Sequence, residues 1–239
     1  MEAAPTHPHA MPRERARALA RAFLPARPWG NRYDYYYVQA KLRSDPLYPG
    51  VLAVLRDAPW PVLDLGCGLG LLAHALRAEQ HAAAYLGVDI DAAKLARAER
   101  AAGTAGLAAV AFAPLDLAGA LPAHAGSVAL LDVLQYLPAA RQQTLLAHAA
   151  ARLAPGAPLV IRTPLAGDHP RGRLTRLADR LGHLSGWMRT APRDYPSREG
   201  LLAVLASLGL QGQCTPLYGS TPFNNWLVVA RRFPAAKDR

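Results

Sequence analysis

The chain has 239 residues, 51% hydrophobic and 18% charged, which favours one packed α/β domain with modest extensions over disorder. Two cysteines exclude a disulfide scaffold, no apolar run is long enough to span a bilayer, and no hydrophobic secretion signal is evident; we expect a cytoplasmic, bacterial protein. The formal charge of +10, carried almost wholly by arginine, would suit nucleic acid, anionic membrane or an acidic protein, although arginines on solvated surfaces would give the same total.

The N-terminal part of the chain predicts helices before any strand. Residues 1–32 form a flexible or helical leader that prolines interrupt, and residues 33–58 form a helical segment. Proline disfavours helix in its own turn and in the residue before it. We therefore expect the helical segment to break near Asp45-Pro46.

A regular alternation of strands and helices follows. Short apolar runs predict strands at 61–65, 85–88, 110–112, 128–131, 159–161, 213–217 and 226–230. Helical patterns between them include 92–102, 141–153 and 198–208, the last ending at Gly209. Continuously apolar strands that alternate with helices indicate a doubly wound, mostly parallel sheet covered on both faces.

Residues 164–197 interrupt this alternation. They are rich in proline, glycine and arginine, and they predict a small insertion after the fifth strand, on the substrate side of the sheet. Arginines gather in and around this stretch, which favours an anionic substrate or an acidic carrier protein. They are Arg162, Arg171, Arg173, Arg176, Arg180, Arg189, Arg193 and Arg198.

A glycine-rich segment follows the first predicted strand. Asp64 precedes three glycines at alternate positions, Gly66, Gly68 and Gly70, with Cys67 between the first two. Glycine allows a tight turn and close approach to a ligand, and open α/β sheets bind ligands at the carboxyl ends of their strands. The spacing differs from the dinucleotide pattern G-x-G-x-x-G, and the carboxylate of Asp64 would repel a pyrophosphate but attract a cation.

This segment resembles the first motif of class I S-adenosylmethionine-dependent methyltransferases. The resemblance covers roughly residues 60–163 and the two closing strands, and it implies a Rossmann-like sheet of seven strands with an antiparallel last strand. It implies that Asp89, with Ile90 beside it, holds the ribose hydroxyls of the donor. Asp116 would accept from the adenine amino group while Leu117 packs on the ring. Asp91 is better explained as the N-cap of the following helix.

The resemblance extends to the surroundings of the donor. Asp132 stands in a segment similar to the family's fourth strand-end motif and would contact the donor. In similar enzymes a helix before the first strand covers the donor, so the segment 33–58 would be a lid that contributes Tyr36 and Lys41. The methyltransferase domain itself would then span residues 59–235.

Each of these residues also has a purely structural explanation. Asp89 could be an ordinary cap, Asp116 a turn residue and Asp132 a buried structural acid. What favours the methyltransferase interpretation is their order, since a loop and three acids stand at the ends of successive strands. For catalysis the candidates are Tyr136, which with Gln135 should face the acceptor, and His169, a loop histidine that could be merely solvated.

The resemblance implies transfer of a methyl group from S-adenosylmethionine to a small-molecule or carrier-bound acceptor by in-line displacement, with S-adenosylhomocysteine released. The closing segment 221–227 and the tyrosine-rich stretch near Tyr33 resemble bacterial enzymes of aryl-polyene and polyketide-like pathways, whose acceptors would be aromatic or acyl groups on a carrier.

Two alternatives stay open. One is an RNA or protein methyltransferase, although the sequence shows no recognisable RNA-binding module and no signature of nucleobase amino-methylation. The other is a catalytically silent domain that only binds. Histidines and cysteines lack metal-ligand spacing, so we expect no metal. The acceptor, the atom methylated, the use of a general base and the oligomeric state are not set by the sequence.

Overall fold

The computed structural model describes residues 10–166, 193–219, 221 and 224–232. Some sequence-based expectations fall outside these residues. They concern His169, the central part of the insertion at 164–197, and the arginines of that stretch from Arg171 to Arg189.

Seven strands form a single sheet. They are β1 (Val62–Leu65), β2 (Tyr85–Asp89), β3 (Val110–Pro114), β4 (Ser127–Leu131), β5 (Leu159–Pro164), β6 (Leu210–Pro216) and β7 (Asn225–Arg232). Their order is β3-β2-β1-β4-β5-β7-β6, and every pair is parallel except those that β7 makes with β5 and β6. The predicted sheet with an antiparallel last strand is confirmed. The strand order reverses between β1 and β4, which is where sheets of this type bind ligands.

Helices cover both faces of the sheet. They are α1 (Arg13–Ala20), α2 (Tyr33–Ser44), α3 (Leu47–Leu55), α4 (Leu71–Ala78), α5 (Ala92–Thr104), α6 (Ala139–Ala150) and α7 (Arg198–Ser207). Residues of α1 to α5 pack in one core cluster and residues of α6 and α7 in a second. Alternate residues of a strand point to opposite faces, so Val160 of β5 joins the first cluster while Leu159 and Ile161 join the second. This two-sided burial explains why the strands are apolar throughout.

The predicted break in the N-terminal helical segment is present. Helix α2 ends at Ser44 and α3 begins at Leu47, on either side of Asp45-Pro46. The Oδ1 atom of Asp45 accepts a hydrogen bond from the Leu47 amide at 3.0 Å. Asp45 therefore stabilises the start of α3 while its second carboxylate oxygen is left to bind elsewhere.

The described part of the leader, residues 10–32, packs on the domain. Ala16 and Ala20 of α1 are buried, as is Phe23 in a short 3-10 helix that follows. The Met11 amide donates to the Leu42 carbonyl of α2 at 3.0 Å. Within the described ranges, no helix has the length and apolar character required to cross a membrane.

Candidate functional site

The glycine loop joins β1 to α4 at the carboxyl edge of the sheet. Gly66, Gly68 and Gly70 have φ angles of +84°, +56° and +70°, in the left-handed region that residues with a side chain rarely adopt. A Cβ on Gly70 would lie 2.6 Å from the ring of Phe112, so this glycine is required by packing. A Cβ on Gly68 would have no atom of the described residues within 4 Å. At Gly68 the loop therefore presents bare backbone to open space.

The loop is tied to the neighbouring strand β2. The amides of Gly66 and Cys67 both donate to the Val88 carbonyl, at 2.8 and 3.0 Å. The sulfur of Cys67 lies 2.8 Å from the place that a Cβ on Gly87 would take, and burial raises the pKa of its thiol. Cys67 is thus a neutral residue whose side chain packs on β2, and its contribution to donor binding stays a prediction.

Asp64 lies in β1 just before this loop and is 2% exposed. Its Oδ2 atom accepts a hydrogen bond from the Tyr85 hydroxyl at 2.6 Å, whereas Oδ1 is buried without a partner among the described residues. Burial raises the pKa of Asp64 to about 7, against the opposing effect of the Tyr85 hydrogen bond. Because an ionised carboxylate is costly to bury unpaired, a cation bound beside Asp64 would favour its ionised form.

Asp89 ends β2, and two backbone amides fix its carboxylate. Oδ2 accepts from the Gly68 amide and Oδ1 from the Asp91 amide, both at 2.9 Å. Asp91 accepts from two amides in the first turn of α5, which confirms the predicted N-cap. Ile90, between the two acids, is 72% exposed. A carboxylate oxygen accepts more than one hydrogen bond, so Asp89 can hold the loop and still accept from a ligand.

The third predicted acid follows β3 at the same edge of the sheet. Asp116 is exposed, and its Oδ1 accepts from the Ala118 amide at 2.9 Å, so its side chain closes a turn. Leu117 is half-buried against the second core cluster. Phe112 of β3, which no sequence motif singles out, packs between Gly70 and the ring of Tyr85. That contact joins the loop to two neighbouring strands.

Four charged side chains meet where α2, β4 and β5 come together, and we call them the charge cluster. Arg162 of β5 is 4% exposed and donates to Asp45 Oδ2 at 2.9 Å and to Asp132 Oδ1. The Nζ atom of Lys41 lies 2.6 Å from Asp45 Oδ2 and 3.5 Å from Asp132 Oδ2. Burial alone would raise the pKa of Asp45, but Arg162 and Lys41 hold it below its usual value. Two cations thus balance two anions.

The charge cluster corrects one expectation. The sequence groups Arg162 with the arginines of the insertion, but it lies inside β5 with two guanidinium nitrogens bound to carboxylates. It therefore contributes nothing to an exposed anion-binding surface. Asp132 has a φ of +60° and binds Lys41 and Arg162, while the next residue, Val133, packs against Gly66. A contact between Asp132 and the donor stays a prediction.

Helix α2 delivers Lys41 to the charge cluster. Tyr37 stands one turn before Lys41, and its pKa is raised by burial and responds to the charges of Lys41 and Asp132. Tyr36, chosen from the sequence, is 57% exposed and meets Tyr35 edge-on with ring centroids 5.1 Å apart. The structure therefore places Tyr37, rather than Tyr36, on the side of α2 that carries Lys41. The spacing of four residues between Tyr37 and Lys41 is the sequence pattern that could have identified Tyr37, because residues four apart lie on one side of a helix.

The predicted acceptor-facing residues follow β4 in a short 3-10 helix, Leu134–Tyr136. Gln135 is 5% exposed, and its carbonyl accepts from the Arg193 amide at 2.8 Å, so the chain after the insertion returns to this edge of the sheet. Tyr136 is half-buried there, whereas His169 lies outside the described residues. In the part of the chain that is described, no group of three or more His, Cys, Asp or Glu side chains could hold a metal ion.

Comparison with known proteins agrees with this architecture. Residues 63–159 match the family model of a methyltransferase domain. A trans-aconitate 2-methyltransferase from Methylobacterium nodulans is 38% identical over 142 residues, which cover 59% of this chain and 52% of that protein. The chain thus spans about half the length of that curated relative.

Solved structures show the same fold. An O-methyltransferase family protein from Burkholderia thailandensis aligns with a TM-score of 0.66 at 23% identity, over 84% of this chain and 60% of that chain. Magnesium protoporphyrin IX methyltransferase from Synechocystis PCC 6803 aligns with a TM-score of 0.63 at 19% identity, over 92% and 94%.

The strand order and the glycine loop, with an acid at the end of β2, define a class I methyltransferase fold. The segment that is similar to a methyltransferase domain, residues 63–159, runs from β1 to the start of β5 and includes the glycine loop, Asp89 and Asp116.

Removing Arg162 should destabilise the fold, because two carboxylates would keep only Lys41 as a counter-charge. Arg162→Met is expected to lower the free energy of unfolding by about 3–5 kcal/mol. Adding Asp45→Asn should restore part of this loss. Urea denaturation measures both effects, and Arg141→Met, at an exposed position of α6, is the matched control, with a change below about 0.5 kcal/mol. Equal losses of stability in Arg162→Met and Arg141→Met would contradict the role of Arg162 as the buried counter-charge of Asp45 and Asp132.

The raised pKa of Asp64 predicts a pH-dependent stability. The unfolded carboxyl has a pKa of about 3.9, so between about pH 4 and 7 only the folded state keeps the proton, and stability falls as pH rises. Asp64→Asn removes this titration and retains an acceptor for Tyr85. The free energy of unfolding of the variant should therefore rise relative to that of the wild type as pH increases, by about 3–4 kcal/mol from about pH 4 to pH 8. Denaturation curves across that range measure the gain, and a difference that does not vary with pH would contradict it.

Proposed function

We propose that this chain transfers a methyl group from S-adenosylmethionine to a small-molecule acceptor. The observation that carries the proposal is a buried carboxylate oxygen, Asp64 Oδ1, without a partner among the described residues, next to a loop that is open at Gly68. A pyrophosphate would be repelled there, whereas a donor with a sulfonium and an ammonium group brings the positive charge that Asp64 lacks. The match to a methyltransferase domain supports the same donor.

The other predicted contacts fit the adenosine half of this donor. Asp89 would accept from the ribose hydroxyls while still holding the Gly68 amide. Ile90 is exposed, and adenine packed on it would cover that apolar surface. Asp116 and Leu117, after β3, would meet the amino edge and the face of the ring.

We assign the segment 33–58 as a lid over the donor and residues 59–235 as the catalytic domain. The side chain of Lys41 is 24% exposed even though it binds Asp45. An ammonium has three N–H groups, so Lys41 can also donate to the carboxylate of the donor. Tyr36 stays a candidate for the lid, and Tyr37 joins it because it shares the side of α2 that carries Lys41.

Bound S-adenosylmethionine supplies an electrophilic methyl group on a positively charged sulfur. Transfer of that methyl group to a lone pair of the acceptor would break the carbon–sulfur bond and leave S-adenosylhomocysteine with a neutral sulfur. The protein contributes chiefly by holding donor and acceptor in line, which the tied loop and the lid achieve. A base is needed only where the acceptor arrives protonated, and Tyr136 and His169 are the candidates.

Two proteins similar to this chain are associated with small acids. The relative from Methylobacterium nodulans is a trans-aconitate 2-methyltransferase, and the O-methyltransferase NcsB1, with a TM-score of 0.60 at 21% identity, was solved with 1,4-dihydroxy-2-naphthoic acid. For this chain we propose an aromatic or acyl acceptor, free or bound to a carrier protein. The free cysteines Cys67 and Cys214 support a cytoplasmic location for the reaction.

The donor assignment predicts that Asp89→Ala weakens binding of S-adenosylmethionine at least about tenfold, because the acceptor for the ribose hydroxyls and the tie to Gly68 are both lost. Asp57→Ala, at an exposed acid, is the matched control and should leave affinity unchanged. Calorimetry measures affinity, and labelled-methyl transfer to a panel of phenolic and carboxylic acids tests activity. Unchanged affinity in Asp89→Ala would refute the donor site. Binding without transfer to any acceptor would favour the catalytically silent alternative.

A carrier-bound acceptor predicts capture of acidic acyl carrier proteins by the arginines of the insertion, since the carrier's charge complements theirs. Charge reversal at Arg173 and Arg176 should weaken that capture at least tenfold. Pull-down with purified carrier proteins measures it. If carrier proteins are captured equally well after both charge reversals, the carrier-bound acceptor is contradicted and a free small-molecule acceptor remains.

A further inference from the structure

The turn between α1 and α2 exposes a large aromatic ring. Trp29 is 96% exposed, so neither face of its indole packs on the described residues. The turn that carries it is nevertheless ordered by local contacts. The Gly30 amide donates to the Arg27 carbonyl at 3.0 Å, and a Cβ on Gly30 would lie 2.4 Å from the Cβ of Pro25. A fixed turn therefore holds an apolar side chain out in water, which costs free energy unless something covers it.

Arginines are concentrated in the sequence on both sides of Trp29. In the stretch from residue 13 to residue 32 there are six arginines and one acid, Glu14. Arg13, Arg17 and Arg21 are exposed at intervals of four, which places them along one face of α1 and its extension. Arg27 and Arg32 flank Trp29 and are also exposed. We call these five arginines and Trp29 the N-terminal surface.

More apolar area borders the N-terminal surface. Leu24, Tyr33 and Tyr36 are 39%, 47% and 57% exposed. Guanidinium groups bind phosphates in bidentate fashion, and indole and phenol rings favour the boundary between lipid headgroups and acyl chains. A stacking site for RNA bases or a binding pocket would pack one face of the indole on its own protein. Trp29 has no such support, and a protruding ring suits insertion between lipid headgroups.

We propose that the N-terminal surface docks this protein on membranes of anionic phospholipid, with Trp29 inserted at the headgroup level and the arginines on phosphates. Such docking needs no membrane-spanning helix. It goes beyond the proposed methyl transfer and does not depend on it. Because α2 begins directly after this turn, docking would bring the proposed lid to the membrane surface.

Sedimentation with lipid vesicles tests the proposal on the full chain. The protein should bind vesicles that mix phosphatidylcholine with phosphatidylglycerol, leave phosphatidylcholine vesicles in the supernatant, and lose affinity as salt rises. Arg17→Glu and Arg27→Glu should each weaken binding about fivefold or more, and Trp29→Ala about tenfold. The matched control is Arg141→Glu, which makes the same charge change on α6, on the opposite face of the sheet, and should bind as wild type does.

Tryptophan fluorescence gives a second measurement that does not depend on charge. Mixed vesicles should shift the emission of the wild type to shorter wavelength, and the shift should be lost in Trp29→Phe, which keeps the other tryptophans. Equal binding to neutral vesicles, equal weakening by Arg141→Glu and Arg27→Glu, or an unchanged shift in Trp29→Phe would each overturn the proposal. Binding of RNA or of an acidic carrier protein through Trp29 and Arg27, with none to vesicles, would overturn it in favour of that partner.

Discussion

The arrangement at the carboxyl edge of this sheet depends on the buried carboxylate of Asp64, of which one oxygen is hydrogen-bonded. The Oδ2 atom of Asp64 accepts a hydrogen bond from the Tyr85 hydroxyl, whereas Oδ1 has no partner among the described residues. An ionised carboxylate in that position has a high desolvation free energy, and burial therefore raises its pKa to about 7. The adjoining loop supplies the space for a compensating charge, because no atom of the described part of the chain lies where a side chain on Gly68 would stand. A small cationic ligand satisfies both features at once.

The rest of the edge holds this arrangement in place. The loop is bound on one side to Val88 and Asp89 of β2, and Val133 packs on it from the β4 side. Asp132, next to Val133, is in turn fixed by the charge cluster, to which α2 contributes Lys41. The cluster thus links the helix in front of the domain to the strands that carry the loop. Since its charges balance, the charge cluster can be buried without a net charge.

Much of this could be predicted from local sequence. The Asp45-Pro46 pair predicted a helix break and Asp91 before a helical pattern predicted a cap, because both effects act over a few residues. The strands followed from apolar runs, although β5 continues to Pro164, through Arg162, where the sequence suggested that the apolar run had ended. The seven-stranded sheet and its antiparallel last strand followed from the resemblance to a known family, which the observed topology confirms.

Other features depend on contacts that no local pattern reveals. Arg162 binds Asp45 from 117 positions away, so its burial could not be distinguished from an arginine on the surface of the insertion. The choice between Tyr36 and Tyr37 required the orientation of α2 on the domain. The packing of Phe112 on Gly70 likewise joins β3 to the glycine loop, which are separate in sequence. The exposure of Trp29 is a property of the folded turn and not of its composition.

Proton release on donor binding tests the central claim most directly. With a pKa of about 7, Asp64 is mostly protonated at pH 6, and a sulfonium donor that favours its ionised form should displace that proton. Calorimetric titration of S-adenosylmethionine at pH 6, in buffers of different ionisation enthalpy, should show close to one proton released by the wild type and none by Asp64→Asn. No release by the wild type, or equal release by both proteins, would contradict the account.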